Sequence, residues 1–157
     1  MTERKSPRVN LPPVEQIGIV VHDMDRAIDF YTSVFGWGPF QIQDFGEMEY
    51  DFRGQPVKAT VKAAFAKSGP LEIELIQILE GETPHTEFLR EKGEGLHHLR
   101  FRVDDLDGVL AELAKDGIKP VWGKKMPEFG ISFAYLDTAQ AGGVMVELIE
   151  DKAGVTK

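Results

Sequence analysis

Cysteine is missing from all 157 residues. Disulfides, thiolate metal sites and a cysteine nucleophile are therefore excluded, while either redox compartment stays open. No apolar run approaches the length of a membrane span. The opening stretch, MTERKSPRVNLPPV, lacks the apolar core and cleavage site of a secretory leader, so a cytoplasmic protein without a membrane partner is expected. Basic charge is in the minority: 18 Lys and Arg face 26 Asp and Glu, for a net charge of −8. A nucleic-acid binder would carry a basic stripe, so no nucleic-acid partner is expected. Phosphate loops are absent as well, because neither a lysine nor the needed spacing follows Gly93 and Gly95.

What the chain does contain is a repeat. Gln16 to Asp25 aligns without a gap with His98 to Asp107. Each copy reads as an alternating strand, an acidic turn and an apolar-periodic helix. Ile73-Glu74-Leu75-Ile76-Gln77 likewise matches Val146-Glu147-Leu148-Ile149-Glu150. Doubled patterns of this kind decide the architecture. The expected fold is α+β: two tandem βαβββ modules forming a curled, open, barrel-like sheet around a cleft.

Residues 1–12 form an N-terminal arm, and a single domain occupies 13–150, with a tail at 151–157. The first module covers about 13–80. Val14 to Val21 alternates as a strand, and an apolar stripe from Ala27 to Phe35, closed by Gly36, predicts a helix. Phe40 to about Phe45 is extended, and the polar residues 46–56 read as a loop or irregular hairpin. Strands follow over 57–65 and 71–79. A linker helix at about 82–93 starts with Thr83 as cap and Pro84 in the first turn. The second module, about 95–150, repeats the order.

Strand side chains alternate between faces. Ile17, Ile19 and Val21 form one apolar set and Leu99, Phe101 and Val103 the other, each covered by its helix. The opposite faces carry Gln16, then His98, Arg100 and Arg102, with Glu74 and Glu147 from the last strands. A lone strand histidine or glutamate is ordinarily structural. Gln16, Glu74, His98 and Glu147 at repeat-equivalent positions instead suggest ligands for one divalent ion. Three oxygens and one nitrogen suit zinc, nickel, cobalt or manganese, with open positions for water or substrate. By the same alternation His97 points away from this face and is structural. His22 and His85 lack a partner motif. Arg100 and Arg102, on the ligand face, are candidates for binding an anionic part of a substrate.

The doubled βαβββ pattern with these ligand positions resembles the vicinal oxygen chelate superfamily, which includes glyoxalase I, methylmalonyl-CoA epimerase, extradiol dioxygenases and bleomycin-resistance proteins. The likeness spans about residues 14–150. It is most marked towards the epimerases, through EFLREKGEGLHHLRFRVDDLD and GGVMVELIE. Gln16 stands where epimerases carry histidine; with Glu74, His98 and Glu147 it matches the ligand types of glyoxalase I. The resemblance also places Lys62 near the epimerases' second catalytic carboxylate, which makes it a candidate substrate-binding residue.

What the resemblance implies is a metal-dependent enzyme removing a proton next to a carbonyl, first as an epimerase of an acyl thioester. A glyoxalase-type isomerase or lyase is the alternative, and a metal-free drug-binding protein the rival from another class. Glu147 is the expected base and Glu74 its counterpart across the ion. The expected partner is a small, anionic, carbonyl-bearing molecule, and relatives of this type often pair as dimers.

Overall fold

The computed structural model describes residues 6–156. In chain order they form β1 (Gln16–Val20), α1 (Met24–Phe35), β2 (Gln41–Phe52), β3 (Gln55–Ser68), β4 (Leu71–Glu80), α2 (Pro84–Lys92), β5 (Gly95–Arg102), α3 (Leu106–Ala114), β6 (Pro120–Met126), β7 (Ile131–Leu136) and β8 (Met145–Asp151). One mixed sheet runs β1-β4-β3-β2-β6-β7-β8-β5 and closes on itself. The curled sheet expected from the repeat is thus joined into a barrel. Its thinnest seam is β2 against β6, where only Asp51 with Gly123 and Phe52 with Trp122 pair.

The acidic turn repeated in sequence is a helix cap in both copies. Asp23 accepts the backbone N–H of Arg26 and Asp105 that of Gly108, each at 3.0 Å. Such caps satisfy amide groups the first turn leaves unpaired. Gly36 ends α1 in the left-handed conformation. Each helix buries an apolar stripe on the outside of its own module. Met24, Ala27, Ile28 and Tyr31 pack on Val21, Ala64 and Leu75. Leu106, Leu110 and Leu113 pack on Ala134, Leu136 and Leu148. Leu75 and Leu148 are fully buried, and each such side chain stabilises by about 1.5–3 kcal/mol. Residues 6–12 have no regular structure, yet Val9 and Leu11 join the α3 cluster and Arg8 pairs with Asp116. Residues 1–5 of the expected arm lie outside the described residues.

Residues 46–56 depart from expectation. β2 runs through them after a register shift between Asp44 and Gly46. The chain reverses only at Arg53 and Gly54, both with positive φ, as a tight two-residue hairpin requires. Arg53 is held there by Glu87 at 2.7 Å. Polar composition suggested a loop, but a long strand with one exposed face is polar too.

Pairing reproduces the internal two-fold at the level of single residues. In β1 against β4, Gln16 pairs with Glu72 and Gly18 with Glu74. In β5 against β8, His98 pairs with Met145 and Arg100 with Glu147. Between modules β1 and β5 run antiparallel, Gln16 opposite Arg100 and Gly18 opposite His98. The barrel interior therefore receives Gln16, Glu74, His98 and Glu147 from four neighbouring strands.

Candidate active site

Inside the barrel a cavity of about 400 Å³ is walled by Glu74, Arg100, Glu147, His85, Tyr135, Trp122 and apolar side chains of β2, β3 and β7. At its base His98 Nε2 lies 3.0 Å from Glu74 Oε2, 3.2 Å from Glu147 Oε2 and 3.4 Å from Gln16 Oε1. All four residues are buried. Gln16 is aimed by its own amide, whose Nε2 donates to Glu72 Oε1 at 2.8 Å and so turns Oε1 inward. His98 gains its place from Gly18 across the strand pair: a Cβ there would sit 2.0 Å from His98 Cε1.

One ring nitrogen carries at most one proton and cannot serve three oxygens. Glu147 Oε2 is left buried without a hydrogen bond, a costly state for a carboxylate. A cation bound by the same four side chains would resolve both problems. Within the described residues, Glu74, His98 and Glu147 have ligand atoms close enough to share an ion. The donor set fits a borderline divalent metal.

The electrostatics follow from this crowding. Burial, reinforced by Glu74 against the pull of His98 and Arg100, pushes the Glu147 carboxyl up to about 7. Burial opposes charge on His98, but the hydrogen bond it donates to Glu74 and the field of both glutamates outweigh it and raise its pKa. Burial also raises Tyr135 well above the usual phenol range, and Glu147 and Glu74 add to it.

The other candidates separate. Arg100 lines the cavity and is already paired with two carboxylates, through Nε with Glu15 at 2.9 Å and through Nη2 with Glu72 at 3.5 Å. Arg102 does not line it. It binds Glu15 and Asp151 at 3.0 and 3.1 Å and donates to Thr156 Oγ1 at 3.0 Å. Asp151 also accepts the backbone N–H groups of Val155 and Thr156. Arg102 thereby fastens the tail, whose Val155 and Thr156 form part of the cavity wall. Lys62 sits away from the cavity, 4.0 Å from Asp25 on α1. The hairpin length that decides its register was not legible from the repeat.

Sequence reasoning put His97 on the opposite face and left His85, correctly placed in the linker helix, without a partner. The pairing of β1 and β5 shifts so that Gly18 faces His98 while Ile19 faces Leu96, leaving His97 as an extra, bulged residue. His97 therefore lies on the same side as His98, with their Nδ1 atoms 3.1 Å apart. Burial holds its pKa down to about 3, so the ring is neutral. His85, which had no partner in sequence, is fully buried beside Tyr135, its Nε2 3.2 Å from the hydroxyl. The adjacent His97-His98 pair was the available signal for the first. Nothing local marked the second.

Comparison with known proteins agrees with this architecture. A family model described as Glyoxalase/Bleomycin resistance protein/Dioxygenase superfamily matches residues 15–135. An uncharacterized protein of Bacillus subtilis, YqjC, is 29% identical over 142 residues, covering 88% of this chain and 92% of that protein. The mitochondrial methylmalonyl-CoA epimerase of Mus musculus is 26% identical over 148 residues, covering 93% and 77%. Among solved structures, a hypothetical protein of Bacillus halodurans superposes with a TM-score of 0.63 at 26% identity, covering 92% of this chain and 98% of that one. A methylmalonyl-CoA epimerase in complex with methylmalonyl-CoA and NH4+ superposes at 0.60 and 23% identity, over 92% and 97%, a likeness of fold. The chain belongs to the glyoxalase/bleomycin resistance protein/dioxygenase superfamily.

Proposed function

We propose that this protein is a metal-dependent enzyme that removes a proton from the carbon beside a carbonyl, in the manner of an epimerase of acyl thioesters. The observation carrying the proposal is the meeting of three oxygens, from both modules, around His98 Nε2. Gln16, Glu74, His98 and Glu147 are the proposed ligands of one zinc, nickel, cobalt or manganese ion. Such an ion would polarise the substrate carbonyl and stabilise charge developing on its oxygen. Glu147 is the proposed base. Released from the ion as substrate chelates, it would be a carboxylate in a dry site, where loss of solvation favours proton transfer near neutral pH. Glu74 faces it from the opposite wall, so a proton can be taken on one side and returned on the other. The mouse relative is named as a methylmalonyl-CoA epimerase, which makes an acyl-CoA the first substrate class to try.

A second reading has its own support. Two glutamates cancel the charge of a divalent ion, and Arg100 and Arg102 are already paired with Glu15, Glu72 and Asp151. This balance favours an uncharged carbonyl substrate and a glyoxalase-type isomerase or lyase over a substrate with a free carboxylate.

The test is incubation of protein purified without chelator in deuterated water, with methylmalonyl-CoA, other acyl-CoA thioesters and 2-oxo acids in turn. Metal-dependent deuterium uptake at an α-carbon is expected for at least one of them. Absence of both metal and exchange, with tight binding of a drug-like ligand, would instead mark a binding protein.

A further inference from the structure

Tyr135 stands in the wall of the same cavity as Glu74 and Glu147, and its strand neighbour in β8 is Glu147 itself. Its ring lies 4.9 Å from that of His98. The hydroxyl has one identified partner, His85 Nε2 at 3.2 Å. His85 Nδ1 in turn lies 3.3 Å from Thr83 Oγ1. Neither Thr83, fully buried, nor His85 reaches solvent, so every proton along this row has to be accounted for within the protein.

Thr83 settles the direction. Its Oγ1 already accepts the backbone N–H of Thr86 at 3.1 Å, as the cap of α2. Its own hydroxyl proton then has His85 Nδ1 as acceptor. A neutral imidazole accepting at Nδ1 carries its proton on Nε2, and that proton goes to the Tyr135 oxygen. The tyrosine's O–H is left free to point elsewhere, and the cavity is open beside it. The reverse arrangement would have Thr83 Oγ1 accept twice and strand its buried proton. Burial, with the fields of His97 and His98, holds His85 well below the usual imidazole range, so the ring stays neutral.

We propose that Tyr135 is a further catalytic residue, a fixed hydrogen-bond donor to the substrate oxygen that gains charge, with its hydroxyl aimed by the Thr83–His85 pair. The proposal rests on the reading of Gln16, Glu74, His98 and Glu147 as a metal centre. It also answers a weakness of that centre: with two glutamates cancelling the ion's charge, a neutral donor supplies stabilisation the ion lacks.

The test uses the full-length protein and two readouts independent of turnover. Nitrogen-15 NMR of labelled histidine should show His85 neutral with its proton on Nε2. Co2+-loaded protein is then titrated with acetohydroxamate, a two-oxygen chelator that mimics an enolate. Tyr135→Phe, which keeps the ring, should bind Co2+ as wild type does but hold acetohydroxamate about ten- to a hundredfold more weakly, as loss of a hydrogen bond to a charged oxygen implies. His85→Gln, which retains an amide donor, should lose less than Tyr135→Phe. A proton on His85 Nδ1 overturns the proposal, and so does equal acetohydroxamate affinity in wild type and Tyr135→Phe. Failure of the wild type to bind Co2+ would overturn the metal-centre reading first, and the donor role with it.

Discussion

The two modules build the same wall with different contents. Gln16 and His98 are equivalent, as are Glu74 and Glu147, and strand pairing repeats around each of them. The neighbours differ. Where the second module has Arg100, the first has Gly18, emptied so that the His98 ring can lie against it. Where the second has Met145, the first has Glu72, which orients Gln16 and binds Arg100. Symmetry thus decides where the four side chains point, and its local breaking decides that a single nitrogen meets three oxygens. The first wall is a scaffold of carboxylates, and the second contributes the imidazole and its supporting ring, His97.

His98→Ala breaks the comparison most completely. It should weaken Co2+ binding beyond the about 100-fold that loss of an outer partner of a ligand costs, with the circular-dichroism spectrum unchanged. Glu147→Gln against Glu74→Gln asks whether the equivalent glutamates share the base role. Both amides retain an oxygen ligand, and Glu147→Gln should slow solvent-deuterium exchange by about 10²-fold or more. Gly18→Ala tests the emptied position. Its methyl would displace the His98 ring and lower stability by about 1–3 kcal/mol, a loss that His98→Ala in the same chain should relieve in a double-mutant cycle of Tm values.

Smaller effects come from the supporting groups. His97 Nδ1 accepts from His98 Nδ1 when the other His98 nitrogen holds a cation. His97→Phe should therefore weaken Co2+ binding by about 10- to 100-fold, and His97→Asn, which restores an acceptor, should recover part of it. Arg102→Met should leave Co2+ affinity alone and cost about 1–3 kcal/mol in urea unfolding, since it takes a charged partner from Asp151, whose side chain is buried.

Much of this was legible in the sequence because alternation along a strand is a property of the backbone. Once the repeat aligned Gln16 with His98 and Glu74 with Glu147, their shared face followed. The acidic turns became caps for the same reason: Asp23 and Asp105 each stand just before an apolar helical stripe. His97 was misread because a bulge is set by the facing strand, not by the strand that carries it. The ion pairs of Lys62 with Asp25 and of Arg102 with Asp151 could not be read from alternation, because those partners lie on other elements. His85 gave no sign at all, since a helix joining two modules reveals its buried side only when the barrel it packs against is built.

The most direct test of the account is a calorimetric titration of chelator-treated protein with Mn2+ at pH 7.5 and 5.5. In the metal-free chain Glu147 holds its proton up to about 7 and His98 is also raised. Those raised values stabilise the metal-free fold at low pH, a contribution lost as pH rises through about 7. A cation bound there would displace the same protons, so its affinity should run the other way, rising with pH until they are gone. The prediction is one ion per chain at pH 7.5 and affinity at least about thirtyfold weaker at pH 5.5, roughly tenfold per unit for one displaced proton. No saturable site, or an affinity indifferent to pH, would contradict the claim that Glu147 and His98 meet on a metal.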